Sequence, residues 1–158
     1  MKLTAILCFL FPYLSYSQES GALPIKDANK IIVKNGRPVR QNLFLLQSSL
    51  LNKGYTVIID YKDFSVRTKD SLIENGTASY TLNGSVRGDS VLLTGTYQAK
   101  VVTSIMGEEK TYSYDIAYSG FRGSLSRKIF AALEDIAREV KGDIFYIKEK
   151  KRKRGFIF

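Results

Sequence analysis

The 158-residue chain has no histidine and no tryptophan, and it carries three prolines, two methionines and a single cysteine, Cys8. Without histidine, the Ser-His-Asp and Cys-His nucleophilic constellations and imidazole-based zinc or haem ligation are excluded. Cys8 lies in an apolar leader, so the chain beyond that leader has no thiol and no disulfide. No later segment approaches the roughly 20 apolar residues that span a bilayer as a helix. The residues left for catalysis are carboxylates, Lys, Tyr, Ser and Thr, and they form no recognisable cofactor set.

Residues 1–17 read as a signal peptide. Lys2 precedes the apolar run from Leu3 to Leu14, and Ser15-Tyr16-Ser17 supplies a small-x-small cleavage site. Cys8 follows Leu7 inside the run, which is not the position of a lipid-bearing cysteine. The mature chain is expected to begin near Gln18. Export without disulfides points to a bacterial periplasm, outer envelope or secreted location. The sequence further divides into a flexible lead-in over 18–28, one domain over 29–147 and a basic tail over 148–158.

The charge sits unevenly. The whole chain is +9, with 24 Lys and Arg against 15 Asp and Glu. Lys148, Lys150, Lys151, Arg152, Lys153 and Arg154, with Glu149 among them, give a net +5 within seven residues. The basicity therefore belongs to the tail and not to a face of the fold. Gly155-Phe156-Ile157-Phe158 follows it, so cations are backed by Phe156 and Phe158. That combination suits an anionic membrane or another polyanion, and the competing expectation is a solvated tail. No specific nucleic acid is expected of an exported chain.

The strongest fold signal runs from Thr77 to Val101. Ala78, Tyr80, Leu82, Gly84 and Val86 alternate with polar residues, Gly88-Asp89 supplies a two-residue turn, and Val91, Leu93, Gly95, Tyr97 and Ala99 alternate back. The expected register sets Arg87 opposite Ser90, Gly84 opposite Leu93, Leu82 opposite Gly95 and Tyr80 opposite Tyr97. Gly84 and Gly95 leave room for a helix to approach the sheet.

Around this hairpin the chain reads in order. Ile31-Ile32-Val33 forms a short strand, apolar enough for burial on both faces. Pro38 opens a helix in which Val39, Leu43, Leu46 and Leu50 recur, with Phe44 and Leu51 widening the stripe, and Gly54 ends it. Tyr55, Val57, Ile59 and Tyr61 alternate, turn at Lys62-Asp63 and return through Phe64 and Val66. After the long hairpin, Tyr112, Tyr114, Ile116 and Tyr118 give another strand. A second helix presents Leu125, Ile129, Leu133, Ile136 and Val140 on one face. Ile144 to Ile147 reads as a last short strand or an apolar flap.

The fold class expected is α+β, a two-layer sandwich of a mainly antiparallel meander sheet with two amphipathic helices on one face. The open face should be rich in Thr, Ser, Asn and Gln, a surface on which an unidentified protein or glycan partner can dock.

The exported start, Gly54-Tyr55 entering a strand, Leu93-Thr94-Gly95 in a central strand and the Tyr118-Ser119-Gly120 turn before the last helix together resemble small bacterial envelope domains of unknown function. Their layout is similar to the half-fold of TATA-binding protein. The resemblance covers about Ala28 to Lys141, and it implies a fold and a compartment with no catalytic residue.

Candidate chemistry is sparse. Asp60, Asp63, Asp70, Glu74 and Asp115 are the acids a glycosidase-like pair would be drawn from, and solvated surface groups are the better reading of them. Gly120 to Lys128 is glycine-bearing, basic and opens a helix, making Arg122, Arg127 and Lys128 candidate anion-binding residues, although the spacing is not that of a P-loop. A turn and a helix cap explain the same letters. Arg87-Gly88-Asp89-Ser90 spells an adhesion tetrapeptide, but the hairpin already requires a Gly-Asp turn there. The sequence thus favours a non-catalytic domain that binds a partner or envelope surface, with a carboxylate enzyme and a tail-driven polyanion or membrane binder as alternatives.

Overall fold

The computed structural model describes residues 23–73, 76, 78–103, 108–119, 121 and 123–149. The elements in chain order are β1 (Lys30–Lys34), α1 (Val39–Asn52), β2 (Val57–Asp60), β3 (Ser65–Thr68), β4 (Ser71–Leu72), β5 (Ala78–Arg87), β6 (Ser90–Thr103), β7 (Glu108–Asp115), α2 (Leu125–Val140) and β8 (Asp143–Ile147). The expected signal peptide over 1–17, the start of the lead-in and Lys150 onward lie outside the described residues.

The β5–β6 hairpin has the register its alternation dictates, with Val86 opposite Val91, Gly84 opposite Leu93, Leu82 opposite Gly95 and Tyr80 opposite Tyr97. Gly88 takes a positive φ of 59° at the first turn position, which glycine adopts without the Cβ clash of other residues.

The sheet contains the expected antiparallel meander, β2, β3, β5, β6 and β7, with β1 and β8 added beside β6. Its path is β2-β3-β5-β6-β1-β8, with β4 beside β5 and β7 beside β6. Both β1 and β7 fit because of the length of β6. Its 14 residues extend roughly 46 Å, enough for two partners on one edge. The first part, Ser90 to Leu93, takes β1, and the second, Thr96 to Thr103, takes β7. β8 then adds outside β1, pairing Lys30 with Ile147 through Lys34 with Asp143, which settles Ile144 to Ile147 as a strand.

Both helices cover one face, giving an α+β two-layer sandwich. Leu43, Leu46 and Leu50 of α1 and Ile129, Phe130, Leu133, Ile136, Ala137 and Val140 of α2 pack with Ile31, Val33, Val66, Leu82, Val86, Val91 and Leu93 in one core. Gly84 admits α1, as expected, through contact with Leu46. At Gly95 the neighbour is Ile116, which follows β7, and not a helix.

The stripe on α1 differs from expectation. Phe44 and Leu51 do not widen the buried face; they are 66% and 48% exposed, while Asn42 and Ser49 are buried. Phe44 and Leu51 stand seven residues apart on an outward stripe, and the flank of α1 that meets α2 is polar. Ser49 Oγ donates to Glu139 Oε2 (2.6 Å), and Lys53 pairs with the other carboxylate oxygen at 2.9 Å. Asn35 Nδ2 donates to Asn42 Oδ1 (2.7 Å), Asn42 Nδ2 donates to the Arg37 carbonyl (3.1 Å), and Arg37 Nη1 donates to the Val140 carbonyl at the end of α2 (2.7 Å). Burial of amides is tolerated there because their polar atoms are partnered.

Candidate functional site

Cross-strand pairing decides what the open face presents. On β5 and the middle of β6 it carries Thr81, Asn83, Ser85, Thr94 and Thr96, the polar surface that alternation predicts. In one row across β6, β1 and β8 it does not, although Ser90, Lys34 and Asp143 pair across the same face two residues along. Leu92 lies opposite Ile32, and Ile32 lies opposite Phe145. Three adjacent strands thus set Leu92, Ile32 and Phe145 in one row on the face away from the helices. Leu92 and Ile32 are half-buried, Phe145 is 49% exposed, and Ile147, on the same face two residues along, is 36% exposed.

β1 is therefore not buried on both faces, as its composition suggested. Ile31 and Val33 enter the core while Ile32 looks outward. Sequence reasoning missed this row, yet it left a mark. The doublets Ile31-Ile32 and Leu92-Leu93 and the unbroken Ile144-Phe145-Tyr146-Ile147 run each break the alternation of a half-solvated sheet, so one member must face outward. A depression of about 230 Å³, lined by Ser65, Arg67, Asn83, Ser85, Leu92 and Thr94, adjoins the row on its polar side.

The edge where β8 ends is held together by charge and amide contacts. Lys148 Nζ donates to Asp27 Oδ2 at 2.8 Å, and Glu149 pairs with Lys30. The Glu149 amide donates to Asn29 Oδ1 (2.9 Å), and Asn29 Nδ2 returns a bond to the Glu149 carbonyl (3.3 Å). The Asp27 carboxyl is held below its ordinary range, first by the hydrogen bond from Lys148. Lys148 thus belongs to the folded edge. Of the other tail candidates, Lys150, Lys151, Arg152, Lys153, Arg154, Phe156 and Phe158 lie outside the described residues.

The anion-binding candidates are placed differently. Arg122 lies outside the described residues and Lys128 is exposed. Arg127 turns toward Tyr118, with its guanidinium 4.8 Å from the ring centroid and Nη2 donating to the phenol oxygen at 3.0 Å. Ser124 caps α2, its Oγ accepting from the Arg127 amide at 3.3 Å. The acids are drawn into local work as well. Asp60 Oδ1 accepts from the Lys62 and Asp63 amides in the β2–β3 turn, and Asp70 accepts from Thr81 Oγ1 at 2.7 Å. Asp115 ends β7 opposite Thr96, and Glu74 lies outside the described residues. Among the described residues, no group of three His, Cys, Asp or Glu is disposed to hold a metal ion.

Two other surfaces carry aromatic side chains. Tyr97 and Tyr114 stack at 5.1 Å between centroids with Tyr112 beside them, on the helix side of the sheet and not on the open face. Phe44, Tyr61 and Phe64, with Arg40, Leu43 and Gln47, line an apolar cavity of about 470 Å³ between α1 and the β2–β3 turn.

The architecture is that of a small α+β sandwich with an open sheet face. Neither family models nor curated proteins match the chain. Among solved structures it is similar to a TBP-like protein from Parabacteroides distasonis ATCC 8503, with 13% identity and a TM-score of 0.37, over 73% of this chain and 96% of that one. The fold assignment itself rests on the strand order and registers above.

Proposed function

We propose that the chain is an exported, non-catalytic domain that works by contact, presenting the β6–β1–β8 part of its open sheet face to a partner or an envelope surface. The observation that carries this reading is the Leu92–Ile32–Phe145 row, with Ile147 beside it. An antiparallel sheet with one solvated face has no structural need for such a row, and contiguous exposed apolar surface marks interaction sites. The helices and core hold the strands rigid while the row stays outward. The assignment to a periplasm or outer envelope rests on residues 1–17.

The test asks whether the row serves the fold. Phe145→Ser with Ile147→Ser should shift unfolding free energy by less than about 1 kcal/mol, as surface substitutions do. A loss of several kcal/mol, in the range of core truncations (about 2–5 kcal/mol), would make the row structural and end this reading.

A further inference from the structure

We infer that the cavity between α1 and the β2–β3 turn is a binding site for a small aromatic carboxylate, separate from the open sheet face. One stripe of α1 builds one wall. Arg40, Phe44 and Gln47 stand at i, i+4 and i+7, so they project from the same side of the helix, with the buried Leu43 beside them. Tyr61 and Phe64 of the turn form the opposite wall. The volume of about 470 Å³ falls within the roughly 300–1,000 Å³ of small-molecule sites, which are likewise mostly apolar with a few placed polar groups. Phe44 and Tyr61 are 66% and 69% exposed around it, so no described residue covers these rings.

The turn holds its wall in place before any ligand arrives. Asp60 Oδ1 accepts from the Lys62 and Asp63 amides at 2.9 and 3.2 Å, and the Val86 amide donates to the Phe64 carbonyl at 2.9 Å. Phe64 itself has a φ of 47°, a region that bulky residues seldom occupy and that glycine enters without steric cost. The chain thus keeps a strained phenylalanine at the point that closes the cavity, and strain of this kind collects at ligand sites.

The polar lining selects the charge of the occupant. It consists of Arg40 and Gln47, and no carboxylate lines the cavity. Among the described residues Arg40 has no ion pair, and α1 has no acid in its first turn, where the positive end of the helix dipole adds to the guanidinium. A guanidinium at the rim of an aromatic pocket receives a planar carboxylate through paired hydrogen bonds, while the rings of the walls take an aromatic body by stacking.

The experiment is calorimetric titration of the chain from Gln18 with 2-naphthoate, with its neutral counterpart 2-naphthalenemethanol and with decanoate, at low salt. 2-Naphthoate should saturate one site with a Kd at or below about 1 mM and bind about fivefold more tightly than the alcohol. Arg40→Gln should remove that preference and leave the alcohol's affinity unchanged. Phe44→Ser should weaken both several-fold, and because both side chains are exposed the variants should unfold at the parent's denaturant midpoint. No saturable binding of 2-naphthoate, or a preference over the alcohol that survives Arg40→Gln, would overturn the site. Decanoate binding as tightly as 2-naphthoate would overturn its aromatic class. Phe145→Ser with Ile147→Ser, on the other face of the sheet, should leave the titration unchanged, and loss of binding in that variant with its fold intact would overturn the separation of the two surfaces.

Discussion

Gly84 and Leu46 meet where α1 crosses the sheet, and a Cβ built on Gly84 would stand 2.5 Å from Leu46 Cδ2. Leu46 is fully buried, so a shift of its side chain must be taken up by the close-packed residues around it. The glycine is what lets the helix lie this close to β5.

Gly84→Ala should therefore cost about 1–3 kcal/mol through overpacking. Leu46→Ala alone should cost about 2–5 kcal/mol by leaving a cavity. In the double variant the alanine methyl enters space that the leucine vacated, so the combined loss should fall short of the sum by 0.5 kcal/mol or more, roughly the scale of contacting pairs. Strict additivity in urea denaturation would show that the two residues do not limit each other.

The amide network at the start of α1 gives a second expectation. Asn42 is buried, accepts from Asn35 and donates to the Arg37 carbonyl, while Arg37 caps the last carbonyls of α2. Asn42→Ala leaves Asn35 Nδ2 and the Arg37 carbonyl without those partners. The cost should be about 1–3 kcal/mol, against less than 0.5 kcal/mol or so for the neighbouring exposed Gln41→Ala. Equal effects in denaturant titrations would mean the network contributes nothing.

Glu139 sets a pH dependence. Its carboxyl is lowered from 4.5, first by the hydrogen bond from Ser49 and then by Lys53. A carboxyl with a depressed folded-state pKa contributes stability that is present above its unfolded value and is lost as pH falls through the folded value. The pair is substantially exposed, so the contribution at neutral pH should be only about 0.2–1 kcal/mol and should shrink with salt. The stability difference between the parent chain and Glu139→Gln should accordingly be constant above about pH 5 and vanish in acid. A difference that grows as pH falls would contradict the assignment.

How far the sequence foretold this molecule depends on how local the signal was. The β5–β6 register was legible to the residue because strict alternation on both strands and a glycine at the turn leave one pairing that buries Leu82, Val86, Val91 and Leu93 together. The place of β1 was not legible, since three apolar residues specify a strand but not its neighbour, and only the 14-residue length of β6 makes room for it. The outward turn of Phe44 and Leu51 was hidden because an apolar residue on a helix does not declare which stripe is buried. The open-face row was half legible. Its doublets were visible, but their pairing into Leu92–Ile32–Phe145 required the strand order.

The most direct measurement uses the absence of cysteine beyond Cys8. In the chain from Gln18, Phe145→Cys and Thr81→Cys each carry a single polarity-sensitive fluorophore, one on the apolar row and one on the polar half of the same face. On titration with lipid vesicles as the envelope surface, the probe at 145 should shift to the blue and brighten while the probe at 81 changes little. Equal responses at both positions, or none at 145 while the protein sediments with the vesicles, would contradict the account.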